Sequence, residues 1–136
     1  MNTDPLRVLI ADDDHAYSVL LKKSLTGRGH SVLVCNSPED ALLSLQKEEF
    51  NIVLLDYKME GISGINVLQW MYGKKMDLPV ILITGFGSDE IYEEAYKWGV
   101  SEYFIKGELD AIRLPILVEQ VHSKYMSRKT RLKEET

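Results

Sequence analysis

The feature that most constrains this chain is a rhythm: a short apolar run followed by a segment of helical period, five times over. The runs are "LRVLIA" (Leu6 to Ala11), "HSVLVC" (His30 to Cys35), "NIVLLD" (Asn51 to Asp56), "PVILIT" (Pro79 to Thr84) and "EYFIK" (Glu102 to Lys106). Short apolar runs alternating with helical patterns predict βα units and a parallel sheet. The middle three runs are nearly uninterrupted, as strands buried on both faces are, so helices are expected on both sides. The expected fold class is therefore α/β: a doubly wound, three-layer α/β/α arrangement of five strands and five helices. With 136 residues, 45% of them hydrophobic, the chain can bury one ordinary core.

The segments between the runs supply the helices. Tyr17, Leu20, Leu21, Ser24 and Leu25 recur at i, i+3, i+4, i+7 and i+8, and Gly27 and Gly29 follow where a helix can stop. The second helix opens with Ser37 as N-cap, Pro38 at its first position and Asp40 three residues after the cap. "GINVLQWMYG" and "SDEIYEEAYKWG" give the third and fourth. A fifth begins near Leu109, but Pro115 would break a helix interior, so regular helix is expected only from about Leu114.

Charge and cysteine usage exclude several roles. A formal net charge of -5 is the wrong sign for a nucleic-acid surface, and the sequence has no helix-turn-helix or zinc-finger spacing. No run approaches the roughly 18 apolar residues of a membrane span, and "MNTDPLR" lacks the apolar segment of a signal peptide. A single cysteine, Cys35, within "SVLVC" reads as a buried thiol in a reducing compartment, and so as a cytoplasmic chain.

In a doubly wound sheet, ligands bind in the crevice at the carboxyl ends of the strands. Strand one ends at Asp12 and Asp13, strand three at Asp56, strand four at Thr84 and strand five at Lys106. Each alone is common: an aspartate after a strand is more often a cap or turn residue than a ligand. Together they raise a physical problem. Two unit charges about 4 Å apart repel by roughly 4 kcal/mol at an effective dielectric near 20, so converging carboxylates need solvent or a cation.

"ADDD", Asp56 in "LLDYKMEGISG", Thr84 in "LITGFG", and Tyr103 with Lys106 in "EYFIKG" make the chain resemble a response-regulator receiver domain of two-component signalling, over roughly Leu6 to Tyr125. The resemblance implies the flavodoxin-like strand order 2-1-3-4-5, which receivers are known for. It also implies a Mg2+ site held directly by Asp13, Asp56 and the backbone carbonyl of Lys58, with Asp12 acting mainly through water. Mg2+ keeps several waters and takes a few carboxylates plus phosphate oxygens, which such a set supplies. By the same resemblance Asp56 is the phosphoacceptor, Lys106 and Thr84 pair with phosphoryl oxygens, and Thr84 and Tyr103 form the switch. Asp14 reads as an acidic residue at the start of helix one. The implied partners are a histidine kinase or phosphotransfer protein, and a second copy or effector module on the face from helix four to helix five. The implied domain is 1–126, with 127–136 as a polar tail or linker.

The chain departs from the family pattern at three places. Gly107 stands where a proline often follows the lysine, so a cis peptide is not assumed and a looser loop is expected; Glu60 stands where proline is common; and Lys58 puts a cation two residues after the acceptor. Lys58 is expected to modulate the lifetime of the phosphoryl group. Two other readings remain open on the residues: a Mg2+-dependent phosphatase or phosphotransferase of Rossmann-like fold, and a degenerate interaction domain independent of phosphorylation. The former would place its acid/base aspartate where Lys58 stands, and the latter is at odds with five filled positions. Ile91, Ala95 and Trp98 share a stripe expected to face the sheet, leaving Tyr92 and Tyr96 near Tyr103 as a partner surface. Beyond Tyr125 the basic residues Arg128, Lys129, Arg131 and Lys133 either cap a helix or begin a linker.

Overall fold

The computed structural model describes residues 4–85, 87–108 and 110–135. Five strands, β1 (Arg7–Ala11), β2 (Ser31–Cys35), β3 (Ile52–Asp56), β4 (Val80–Thr84) and β5 (Glu102–Ile105), alternate with α1 (His15–Thr26), α2 (Pro38–Lys47), α3 (Gly64–Gly73), α4 (Asp89–Lys97) and α5 (Arg113–Glu135). The strands form one parallel sheet in the order β2-β1-β3-β4-β5, the flavodoxin-like arrangement.

Strand alternation divides the core in two. Leu9, Ala11, Val53, Leu55, Val80 and Leu82 point to one face and pack with Leu68 and Met71 of α3 and Ala95 of α4. Val8, Ile10, Ile52, Leu54, Ile81 and Ile83 point to the other, against Leu21 and Leu25 of α1 and Leu114 and Val118 of α5. The unbroken apolar runs are thus strands buried on both sides. As expected, Ile91 and Trp98 pack against the first cluster with Ala95, while Tyr92 and Tyr96 are exposed. The stripe of α1 is rotated from its expected position: Ser18, Leu21 and Leu25 are buried, but Leu20 faces solvent.

The second helix is capped as the sequence announces, and the fourth is capped in the same way. Ser37 accepts a hydrogen bond from the Asp40 amide at 3.1 Å, and Ser88 accepts one from Ile91 at 3.2 Å. Gly29 has φ +94°, a left-handed turn that glycine adopts readily, between α1 and β2. Strand five is one residue shorter than expected, because Lys106 opens a 3-10 turn over Lys106–Glu108. The expected start of the fifth helix at Leu109 lies outside the described residues. Regular helix begins at Arg113, so Pro115 falls in the first turn, where its missing N–H has no helical partner to lose. The helix then continues through Glu135, past Tyr125, held on its flank by a Tyr125 hydroxyl to Asp77 hydrogen bond and a Lys129 to Asp77 ion pair. Among the described residues, no helix is long and apolar enough to cross a membrane.

Candidate functional site

Register places the strand ends side by side. Ala11 lies opposite Leu55, Asp56 opposite Ile83, and Thr84 opposite Ile105. The chain leaves β1 at Asp12, whose amide still bonds Cys35 O at 3.0 Å. Asp12 and Asp56 are 2% and 5% exposed, while Asp13 faces solvent. Ligand oxygens of Asp12, Asp13 and Asp56 lie within 4.8 Å of one another. Lys106 enters from the next strand end: its Nζ is 3.0 Å from Asp12 Oδ2 and 3.5 Å from Asp56 Oδ2. Thr84 is buried at the end of β4.

Electrostatics register the crowding. Burial, then the charge of Asp12 and a hydrogen bond with its carboxyl, push Asp56 up to about 7, against the opposing pull of Lys106. Burial draws the Lys106 pKa down, but the hydrogen bond to Asp12 and the charges of Asp12 and Asp56 outweigh it, and the net shift is upward. One ammonium therefore pairs with two of the three clustered carboxylates. The donor set is all oxygen and over-supplied with negative charge, which fits a hard divalent cation such as Mg2+.

Backbone groups fix the carboxylates. The Asp14 amide donates to Asp12 Oδ1 at 2.9 Å, and the Glu60 amide donates to Asp13 Oδ2 at 3.0 Å. Asp14 itself is the N-cap of α1, accepting from the Tyr17 amide at 3.1 Å, in line with its reading as a helix-start residue. Lys58 is exposed in the β3–α3 loop. Tyr103 is half-buried; its hydroxyl accepts from the Ser88 amide at 3.3 Å, and its ring meets Tyr92 edge-on with centroids 5.6 Å apart. Tyr92 in turn lies 5.7 Å from Tyr96, so the aromatic face expected on α4 joins β5 through Tyr103. None of the peptide bonds among the described residues is cis.

Three contributors were not singled out for the site by the sequence. Tyr17, read as part of the α1 stripe, places its ring centroid 4.6 Å from Lys106 Nζ. Glu60, noted as a departure from proline, supplies an N–H that proline lacks. Gly64 is the first residue of α3, and a Cβ there would lie 2.3 Å from Asp56 O. Its signal is a glycine opening a helix directly after the β3–α3 loop, in "GISG".

An α/β protein of flavodoxin-like order with an acidic, lysine-bearing pocket at its strand ends is the class these features define. A sequence model of the response regulator receiver domain matches residues 8–117, and the chain belongs to that family. It is similar to the transcriptional regulatory protein ZraR of Escherichia coli strain K12, 33% identical over 106 residues, which are 78% of this chain and 24% of that protein. The chain thus spans about a quarter of the length of the curated relatives first matched. Among solved structures it is similar to a CheY-like receiver domain protein from Methanospirillum hungatei JF-1, with a TM-score of 0.85 and 23% identity over 92% of this chain and 99% of that one. The response regulator TrrA of Thermotoga maritima, solved in complex with Mg2+ and BeF, has a TM-score of 0.75 and 29% identity over 85% of this chain and 97% of that one.

Proposed function

We propose that this chain is a phosphoacceptor: Asp56 receives a phosphoryl group from the phosphohistidine of a kinase or phosphotransfer protein, in the cytoplasm. The observation that carries the reading is Lys106 Nζ placed 3.0 and 3.5 Å from Asp12 and Asp56 inside the three-aspartate cluster. In the transfer, an Asp56 carboxylate oxygen forms a bond to phosphorus as the phosphorus–nitrogen bond breaks, and the imidazole nitrogen keeps the electron pair. Bound Mg2+, held by Asp13, Asp56 and the Lys58 carbonyl and reached by Asp12 through water, would supply charge neutralisation at the phosphoryl oxygens. Lys106 turns from the carboxylates to a phosphoryl oxygen, and the Thr84 hydroxyl donates to another.

The acyl phosphate adds about -1.5 to -2 charge at the end of β3. Thr84 is drawn towards it, and Tyr103, already bonded to the loop before α4, follows. The exposed Tyr92 and Tyr96 then change their presentation on the α4–β5–α5 face, where a second copy or an effector module binds. Catalysis is confined to the chain's own phosphorylation and dephosphorylation.

Incubation with acetyl phosphate and Mg2+ tests this reading against its rivals. A receiver acquires one slowly hydrolysed adduct per chain. Continuous turnover of outside phosphate esters would instead indicate a phosphatase, and no adduct at all an interaction domain independent of phosphorylation. Lys58 bears on the adduct's lifetime, because a long cationic side chain two residues after Asp56 shields the face that hydrolytic water approaches. Lys58→Ala should shorten the half-life of the phosphorylated protein about threefold, the scale of one exposed charge contact; an unchanged decay rate would remove Lys58 from the mechanism.

A further inference from the structure

We propose that Tyr17 is a positioning residue for Lys106, its ring face holding the ammonium over the Asp12 and Asp56 carboxylates. The proposal rests on the reading of Lys106 as the cation that pairs with the phosphoryl group. Lysine carries its charge on a flexible four-carbon stem, so where its ammonium rests depends on what the head of the side chain touches. Lys106 begins a 3-10 turn, and the next residue, Gly107, is in open space, where an added Cβ would meet nothing within 4 Å.

The constraint comes from the other end of the side chain. Lys106 Nζ lies 4.6 Å from the Tyr17 ring centroid, while Asp12 and Asp56 take the same nitrogen at 3.0 and 3.5 Å. A cation within about 6 Å of an aromatic face is attracted by the ring quadrupole, the more so when it is partly desolvated; the Lys106 side chain is 20% exposed.

Local bonds tie the residue that carries the ring to the Asp12 carboxylate. Asp14 donates its amide to Asp12 Oδ1 and accepts the Tyr17 amide with its own side chain. The first turn of α1 thereby ties the Tyr17 backbone to the Asp12 carboxylate. The Tyr17 hydroxyl contributes nothing comparable: it is buried and has no hydrogen-bond partner among the described residues. The ring face, rather than the hydroxyl, is then the part that acts, and phenylalanine should replace tyrosine without loss.

The test is a mutant cycle read by the initial rate of labelling with acetyl phosphate and Mg2+. Tyr17→Leu keeps apolar bulk against the core but removes the ring; it should slow labelling about fivefold, equivalent to roughly 1 kcal/mol at 1.4 kcal/mol per decade. Tyr17→Phe should restore a rate within about twofold of the native chain. In a Lys106→Met background, Tyr17→Leu should slow labelling no further. A second reading comes from the metal-free protein: ring-current displacement of the Lys106 methylene proton signals should survive in Tyr17→Phe and vanish in Tyr17→Leu. Equal slowing by Tyr17→Leu in both backgrounds, or no slowing in either, would overturn the positioning role. If Lys106→Met itself labels at the native rate, the reading of Lys106 fails, and the Tyr17 proposal with it.

Discussion

Gly64→Ala should destabilise this protein by about 3 kcal/mol or more, the scale of a substitution forced into a packed site. The added Cβ would stand 2.3 Å from Asp56 O, 3.0 Å from Asp56 C and 3.3 Å from Leu82 Cδ1. The first two are backbone atoms of β3, a strand paired with β1 on one side and β4 on the other, so they cannot yield. The helix would have to move instead, breaking the Gly64 amide to Tyr57 O bond of 2.9 Å. Urea unfolding checks the size of the effect. Gly73→Ala is the control: nothing lies within 4 Å of its added Cβ, so that variant should be neutral or up to about 1 kcal/mol more stable. Equal midpoints for Gly64→Ala and the native chain would refute the close approach of α3 to β3.

A second large effect is expected in the dependence of stability on pH and divalent ions. Asp56 titrates near 3.8 in its ordinary state and is pushed up to about 7 in the fold. Between those values the native chain holds a proton that the unfolded chain has lost, so stability falls as pH rises through this window. Lys106, with its pKa raised, stays charged throughout. At pH 8 without divalent ions, the ionised Asp56 should weaken the fold by about 2 kcal/mol, the full shift being discounted for solvent at the pocket mouth. Thermal melts should therefore drop by several degrees between pH 5 and pH 8. Asp56→Asn should flatten that slope, and millimolar Mg2+ should raise the melting temperature of the native chain at pH 8. A melting temperature that climbs across the window would contradict the carboxylate crowding.

The sheet was legible because its strands are buried on both faces and so appear as unbroken apolar runs, while Ser37 and Pro38 mark a helix start by local chemistry. The length of α5 was not. "MSRKTRLKEET" carries no apolar stripe after Leu132, and its helix is supported by good helix formers and by contacts of Tyr125 and Lys129 with Asp77, 48 and 52 positions away in sequence. Of the strand-end residues singled out in the sequence, Asp12, Asp13, Asp56 and Lys106 come together in the structure. What the sequence could not supply is the approach of residues from other elements. Tyr17 lies in a helical stripe whose spacing is satisfied by core packing alone, and only the fold brings its ring to a lysine on β5's far end. Gly64 is distinguished from Gly73 solely by the backbone that passes beneath it. The Glu60 amide acts through a main-chain group that side-chain patterns do not report.

The central claim is that Asp56 is the atom-level acceptor, and the direct measurement is mass spectrometry of the intact chain and its peptides after incubation with acetyl phosphate. A single labile phosphoryl adduct is expected on the peptide containing Asp56, formed with Mg2+, absent when a chelator is present, and absent in Asp56→Asn. An adduct of equal yield in Asp56→Asn, or one that forms equally well in the chelated protein, would contradict that claim.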